Sequence, residues 1–107
     1  MLSSDAPVAD PNPLAGIYSA VTRKRMDKTP EKGWYMDQAL SVEEAVRGYT
    51  ITPALVSGTG DRLGSISKGK LADLIVLDQD IFKIDPDRIA DTKVDLTLFD
   101  GRIVYER

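Results

Sequence analysis

Val94-Asp95-Leu96-Thr97-Leu98-Phe99-Asp100-Gly101-Arg102-Ile103-Val104-Tyr105 is the stretch whose reading decides the fold. Val94, Leu96 and Leu98 alternate with Asp95, Thr97 and Phe99, the two-residue period of a strand, and Asp100-Gly101 suits a two-residue hairpin turn. Such a turn pairs Phe99 with Arg102, hence Leu98 with Ile103 and Leu96 with Tyr105, so the apolar residues gather on one face. Upstream, Leu74-Ile75-Val76-Leu77 is a continuous apolar run bracketed by Asp73 and Asp78, the pattern of a strand covered on both faces. Asp85-Pro86 between them can begin one helical turn through Ile89.

Before Gly64 the pattern is helical. Ser4 to Pro13 is too rich in proline for a helix or central strand and reads as an extended loop. Asn12 can cap a helix that Pro13 opens, with Leu14, Ile17 and Val21 as its apolar stripe and Arg23-Lys24-Arg25 favourable at its C-terminal end. Met26 to Leu40, interrupted by Pro30 and Gly33, is a long surface loop, and Trp34 is expected to anchor it on the body of the protein. Ser41-Val42-Glu43-Glu44 is a capping box that starts a helix through Tyr49. Thr52-Pro53 then starts a short helix by the same logic of cap plus proline, stopping at Gly58.

Composition removes several functions. The chain has 14 basic and 17 acidic residues, a formal net charge of −3, no histidine and no cysteine. No field favours nucleic acid or acidic lipid. The commonest general base near neutral pH, the commonest catalytic zinc ligand, thiol catalysis and disulfides are all missing. No apolar run approaches the roughly 18 residues of a membrane span, and Met1 to Asp5 lacks the basic and apolar regions of a signal peptide, so a cytoplasmic location is expected. At 107 residues the chain fits one small domain or a piece of a larger one.

Gly64-Ser65-Ile66-Ser67-Lys68-Gly69-Lys70 has the spacing of a phosphate-binding loop, but Leu71 stands where a hydroxyl should hold magnesium. A helix-rich segment also precedes it and a strand follows, the reverse of the required order. Gly58-Thr59-Gly60 fails as a dinucleotide fingerprint for the same reason. Lys68-Gly69-Lys70 reads as a chain reversal. The aspartates are scattered and match no calcium loop; most read as caps, turns and strand boundaries. Asp5 is the exception, in a loop that could open toward a site.

Gly64-Ser65-Ile66-Ser67-Lys68-Gly69-Lys70-Leu71-Ala72-Asp73-Leu74-Ile75-Val76-Leu77-Asp78 resembles the C-terminal signature of the amidohydrolase superfamily. Ser4-Asp5-Ala6-Pro7-Val8, Asn12-Pro13-Leu14, Ala20-Val21-Thr22-Arg23 and Ser41 to Thr50 are similar to the end of the barrel in its amidohydrolase-3 branch, and Gly101 to Tyr105 to its closing hairpin. The resemblance implies an α/β fragment, α+β as it stands: residues 1–57 as the loop after strand 8 and the terminal helices of a (β/α)₈ barrel, and residues 58–107 as the C-terminal half of a small composite β-sandwich.

The resemblance further implies a metal-dependent hydrolase of non-peptide amide or cyclic amide C–N bonds, acting on a small molecule through a metal-activated water. Of the family's ligands only the aspartate after strand 8 maps here, onto Asp5, which the resemblance makes both a metal ligand, with zinc the expected metal, and the proton acceptor. With no cofactor residue besides it, this chain alone is expected to be inactive and to hold no metal tightly. A non-catalytic interaction module derived from such an enzyme is the alternative, and an unrelated small β-rich binding domain the third reading. Nucleic acid and membrane are not expected partners, whereas homodimerisation through exposed sheet edges is.

Overall fold

The computed structural model describes residues 1–107, a small α+β arrangement of three helices and one three-stranded antiparallel sheet. Asn12 and Pro13 start the first helix as the sequence predicts. The Asn12 side chain accepts from the Leu14 amide at 3.0 Å, and α1 runs Pro13–Thr22 with Leu14, Ile17, Tyr18 and Val21 buried. It stops where Arg23 takes a left-handed φ of 56° and its amide bonds back to the Ser19 carbonyl. The basic run therefore lies just past the last turn and not within it. The proline-rich segment before α1 does not run extended. Asp5, at φ 51°, reverses the chain, and the Val8 and Ala9 amides bond back to the Asp5 and Ser4 carbonyls at 2.9 and 3.2 Å.

The loop after α1 is tied down by its backbone. Trp34 donates its amide to the Arg23 carbonyl at 3.0 Å, Arg23 Nε donates to the Trp34 carbonyl at 3.1 Å, and the Leu40 amide reaches Ala20 at 3.0 Å. The Trp34 side chain is 60% exposed, so it does not anchor the loop by burial. Gly33 makes the close approach possible: at φ +70°, its missing Cβ would stand 2.4 Å from the Thr22 carbonyl oxygen.

The capping box forms as expected at the start of α2, Val42–Tyr49. Ser41 Oγ accepts from the Glu44 amide at 3.2 Å and Glu44 Oε2 accepts from the Ser41 amide at 2.9 Å. Donation by the Ser41 amide and then its hydroxyl holds the Glu44 carboxyl below the usual carboxylate range. The next helix does not start at Thr52. α3 spans Ile51–Val56, one residue after α2, and Thr50 joins the two without a side-chain cap, because its hydroxyl donates back to the Val46 carbonyl at 2.8 Å. Pro53 fits within the first turn, where a missing amide leaves no helical bond unmade.

The sheet has the order β1 Leu74–Leu77, β2 Val94–Phe99, β3 Arg102–Glu106. Asp100 and Gly101 both have positive φ, 49° and 73°, as a twist-matched hairpin turn requires. Phe99 faces Arg102 and Leu98 faces Ile103 as expected, but Leu96 does not face Tyr105. A bulge at Val104 sets Thr97 opposite Tyr105 and Leu96 opposite Glu106. Without the bulge Asp95 would face Glu106, two like charges across the strands. With it Arg107 comes to Asp95, guanidinium to carboxylate at 2.6 Å and amide to carbonyl at 2.9 Å.

The core is small. Ile17, Tyr18 and Val21 of α1 pack with Ala45 of α2, Ile81 and Ile89, the last from a 3₁₀ helix over Pro86–Asp91 that Asp85 caps. Lys24 Nζ meets Asp87 at 2.8 Å beside this contact. Leu77 is the sheet residue that reaches the cluster. β1 was expected to be covered on both faces, yet Ile75 and Val76 are each 46% exposed, because no helix of this chain lies across the sheet. No helix is long and apolar enough to cross a membrane.

Two outcomes test this account. Glu44→Gln should destabilise the protein at neutral pH. Because the folded pKa of Glu44 is depressed, its stabilisation is present above the unfolded carboxylate pKa and is lost as pH falls through the folded value. Melting curves of the two proteins should therefore converge in acid, and a pH-independent gap contradicts the assignment. Gly33→Ala should cost about 1–3 kcal/mol in urea unfolding, whereas Trp34→Ala should stay within about 0.5 kcal/mol.

Candidate functional site

Asp5 lies in the turn that precedes α1, and neighbouring backbone bonds fix its position. Its amide donates to Ser3 Oγ at 3.1 Å. Three residues earlier, the Leu2 amide donates to the Gly48 carbonyl near the end of α2 at 2.8 Å. On the other side Asp10 accepts from the Asn12 amide at 2.8 Å, and Asn12 caps α1. The carboxylate itself is exposed and carries no hydrogen bond from the chain. It is left free to face something else.

Asp5 does not make a metal site by itself. No group of three or more His, Cys, Asp or Glu side chains converges anywhere in the chain, whereas a catalytic zinc takes three protein ligands. The donors present do not fit a complete centre. Asp73 and Asp78, at the ends of β1, serve structure: Asp73 Oδ1 accepts from the Asp100 amide at 2.7 Å and Asp78 Oδ1 from the Lys93 amide at 2.9 Å. Lys70 sits in the predicted reversal and donates to the Gly60 and Leu63 carbonyls at 2.5 and 3.1 Å, a structural use that its sequence context did not signal.

A concavity of about 920 Å³ separates α2 and α3 from the sheet. Val46, Pro53, Ala54 and Leu63 form one side, and Leu74 and Leu98 the other; Asp73 is the one charged residue on its wall. Its wall is mostly apolar, and the Asp73 carboxylate on it is already engaged by the Asp100 amide. A smaller hollow of about 210 Å³ lies at the end of α1 among Ser19, Arg23, Lys24, Arg25, Thr29 and Trp34. Hydrogen bonding to Asp87 raises the Lys24 pKa, so this cation already has its partner. The resemblance carries no functional role onto Arg23 or Trp34. The structure clasps them together, the Trp34 amide donating to the Arg23 carbonyl and the Arg23 side-chain Nε to the Trp34 carbonyl.

Comparison with known proteins places these features. The model of the amidohydrolase family matches residues 1–105. An N-substituted formamide deformylase of Arthrobacter pascens is 39% identical over 106 residues, which is 99% of this chain and 19% of that protein. An imidazolonepropionase of Clostridium tetani is 38% identical over 73 residues, 68% of this chain and 17% of that protein. A crystal structure of an amidohydrolase from Thermotoga maritima MSB8 superposes with a TM-score of 0.56 and 32% identity, covering 67% of this chain and 17% of that one. The chain thus spans less than a fifth of the length of these relatives, and with a family match running from the Asp5 turn through the closing hairpin, it belongs to the amidohydrolase family.

Proposed function

We propose that this chain is the C-terminal part of a metal-dependent amidohydrolase that hydrolyses non-peptide C–N bonds of a small organic molecule. The observation that carries the reading is the family match across residues 1–105, with 99% of the chain aligned to 19% of a deformylase. In this reading residues 1–57 close a (β/α)₈ barrel, and residues 58–107 contribute the last strands of a β-sandwich that the rest of the polypeptide completes. One feature of the chain supports it: the sheet is not covered by the chain's own helices.

Asp5 is the chain's contribution to the chemistry. Barrel enzymes place their reacting groups at the C-terminal ends of strands, and a turn leading into a terminal helix is such a place. The divalent metal of the family supplies the activation of water, and its other ligands belong to the remainder of the enzyme. Asp5 offers one exposed carboxylate, able to bind a cation and to accept a proton. The chain alone, lacking histidine and cysteine, has no such centre and is inactive by itself.

Asp5→Asn in the complete enzyme should lower turnover by about 10²–10⁴-fold with the fold unchanged by circular dichroism; a wild-type rate would remove the role. Calorimetric titration of the 107-residue chain with zinc should show no stoichiometric site tighter than about 1 μM. A tight one-to-one site contradicts the statement that the ligand set lies elsewhere.

A further inference from the structure

The Asp5 carboxylate is placed by two anchors on two helices. Behind it, the Leu2 amide donates to the Gly48 carbonyl of α2 at 2.8 Å; ahead of it, Asn12 caps α1 at the Leu14 amide. Between the anchors the chain reverses at Asp5, whose φ of 51° a non-glycine residue seldom adopts. Where the carboxylate stands therefore follows from how closely α1, α2 and Leu2 approach one another.

Two glycines inside those helices set that approach. Alanine is the better helix former at such positions, so the bare α-carbons answer to packing. A Cβ on Gly16 of α1 would overlap the Tyr49 hydroxyl and stand 2.7 Å from Tyr49 Cζ, which fixes α2 against α1. A Cβ on Gly48 would stand 2.9 Å from Leu2 Cγ and Cδ1 and 3.6 Å from Leu2 Cβ. Carbon atoms pack at about 3.5–4.0 Å, so a filled seat pushes Leu2 outward by at least about half an ångström. Swinging the side chain aside takes it off the Ile17, Tyr18 and Ala45 cluster on which it packs. The push is thus passed to the Leu2 backbone, three residues from Asp5.

We propose that Gly48 is a positioning residue for Asp5: its missing side chain seats Leu2 against α2 and so sets where the turn presents the carboxylate. The inference rests on the catalytic role proposed for Asp5 and adds a residue that touches neither substrate nor metal. A misplacement of about 1 Å by a change remote from the chemistry costs on the order of 10²-fold in rate. Loss of a group that orients a metal ligand typically costs about 10–100-fold. A glycine needed only for folding would instead show its effect in stability, whatever stands at position 5.

In the complete enzyme, Gly48→Ala should lower kcat about 10–100-fold with KM within about threefold of the parent. The metal-stripped variant should bind zinc about 10–100-fold more weakly, with the fold unchanged by circular dichroism. Added to Asp5→Asn, Gly48→Ala should cost less than about threefold, since a change that acts through Asp5 has nothing left to misplace. Combining Leu2→Ala with Gly48→Ala removes the overlap and should restore most of the lost rate. If Gly48→Ala does not fold, Leu2→Phe enlarges the knob instead of filling the seat, and it should give the same loss of kcat and the same silence behind Asp5→Asn. A wild-type rate for Gly48→Ala beside an impaired Asp5→Asn overturns this proposal alone, whereas a wild-type rate for Asp5→Asn overturns the reading beneath it as well. Unchanged zinc affinity, a full loss repeated behind Asp5→Asn, or no recovery with Leu2→Ala also overturns the proposal.

Discussion

The molecule depends on the burial of Ile89 and Tyr18, both fully enclosed, in one cluster where the 3₁₀ helix over Pro86–Asp91 meets α1. This contact joins residues about seventy positions apart, and without it the helical segment and the strands would share little more than a connecting chain. Lys24 and Asp87 meet at its margin, and Lys28 and Asp91 at 3.1 Å further out. The outer pair is exposed and adds little stability; the inner one, with Lys24 largely buried, ties α1 to the 3₁₀ helix. Ala45 brings α2 to the same cluster, and Leu77 brings the end of the sheet. Through α2 the Leu2 amide is held, and with it the approach to Asp5.

From that small centre the sheet projects with its faces largely uncovered. Three strands need a covered hydrophobic face to be stable on their own, and this chain supplies no element to cover either one. The groove beside α3 marks the gap. The chain aligns with 19% and 17% of the two compared relatives, and in the reading proposed above the gap is where the remaining polypeptide would pack. The exposed Asp5 carboxylate fits the same description.

Much of this was legible in the sequence, and what was not has identifiable causes. Asn12-Pro13 and Ser41 with Glu44 announce their helices because a cap needs only residues a few positions apart, and Asp100-Gly101 announces the hairpin for the same reason. The Thr50 junction was missed because Thr52-Pro53 offers an equally good local cap, and the choice depended on whether the Thr50 hydroxyl bonded back into α2. The Val104 bulge was missed because alternation alone favours the simple register; a cross-strand conflict between Asp95 and Glu106 decides against it, with Arg107 supplying the reward for the shift. Trp34 misled by its size, since aromatic residues are usually buried, while the loop is held by main-chain groups and by the Arg23 side chain on the Trp34 carbonyl. Asp5 stood out by its loop before Pro7, and its role as a ligand came from resemblance alone. Its local geometry is consistent with a ligand but lacks the convergence of donors that would identify a site without that resemblance.

The central claim is that the sheet's cover lies outside this chain while the α1 core is complete within it. Amide hydrogen exchange measures both at once, in dilute 107-residue protein and in the polypeptide extended to full enzyme length. The account predicts that amides of Ile17 to Val21 are similarly protected in the two, whereas those of β2 and β3 exchange at least about tenfold more slowly in the longer protein. Equal protection of β2 and β3 in both would contradict it.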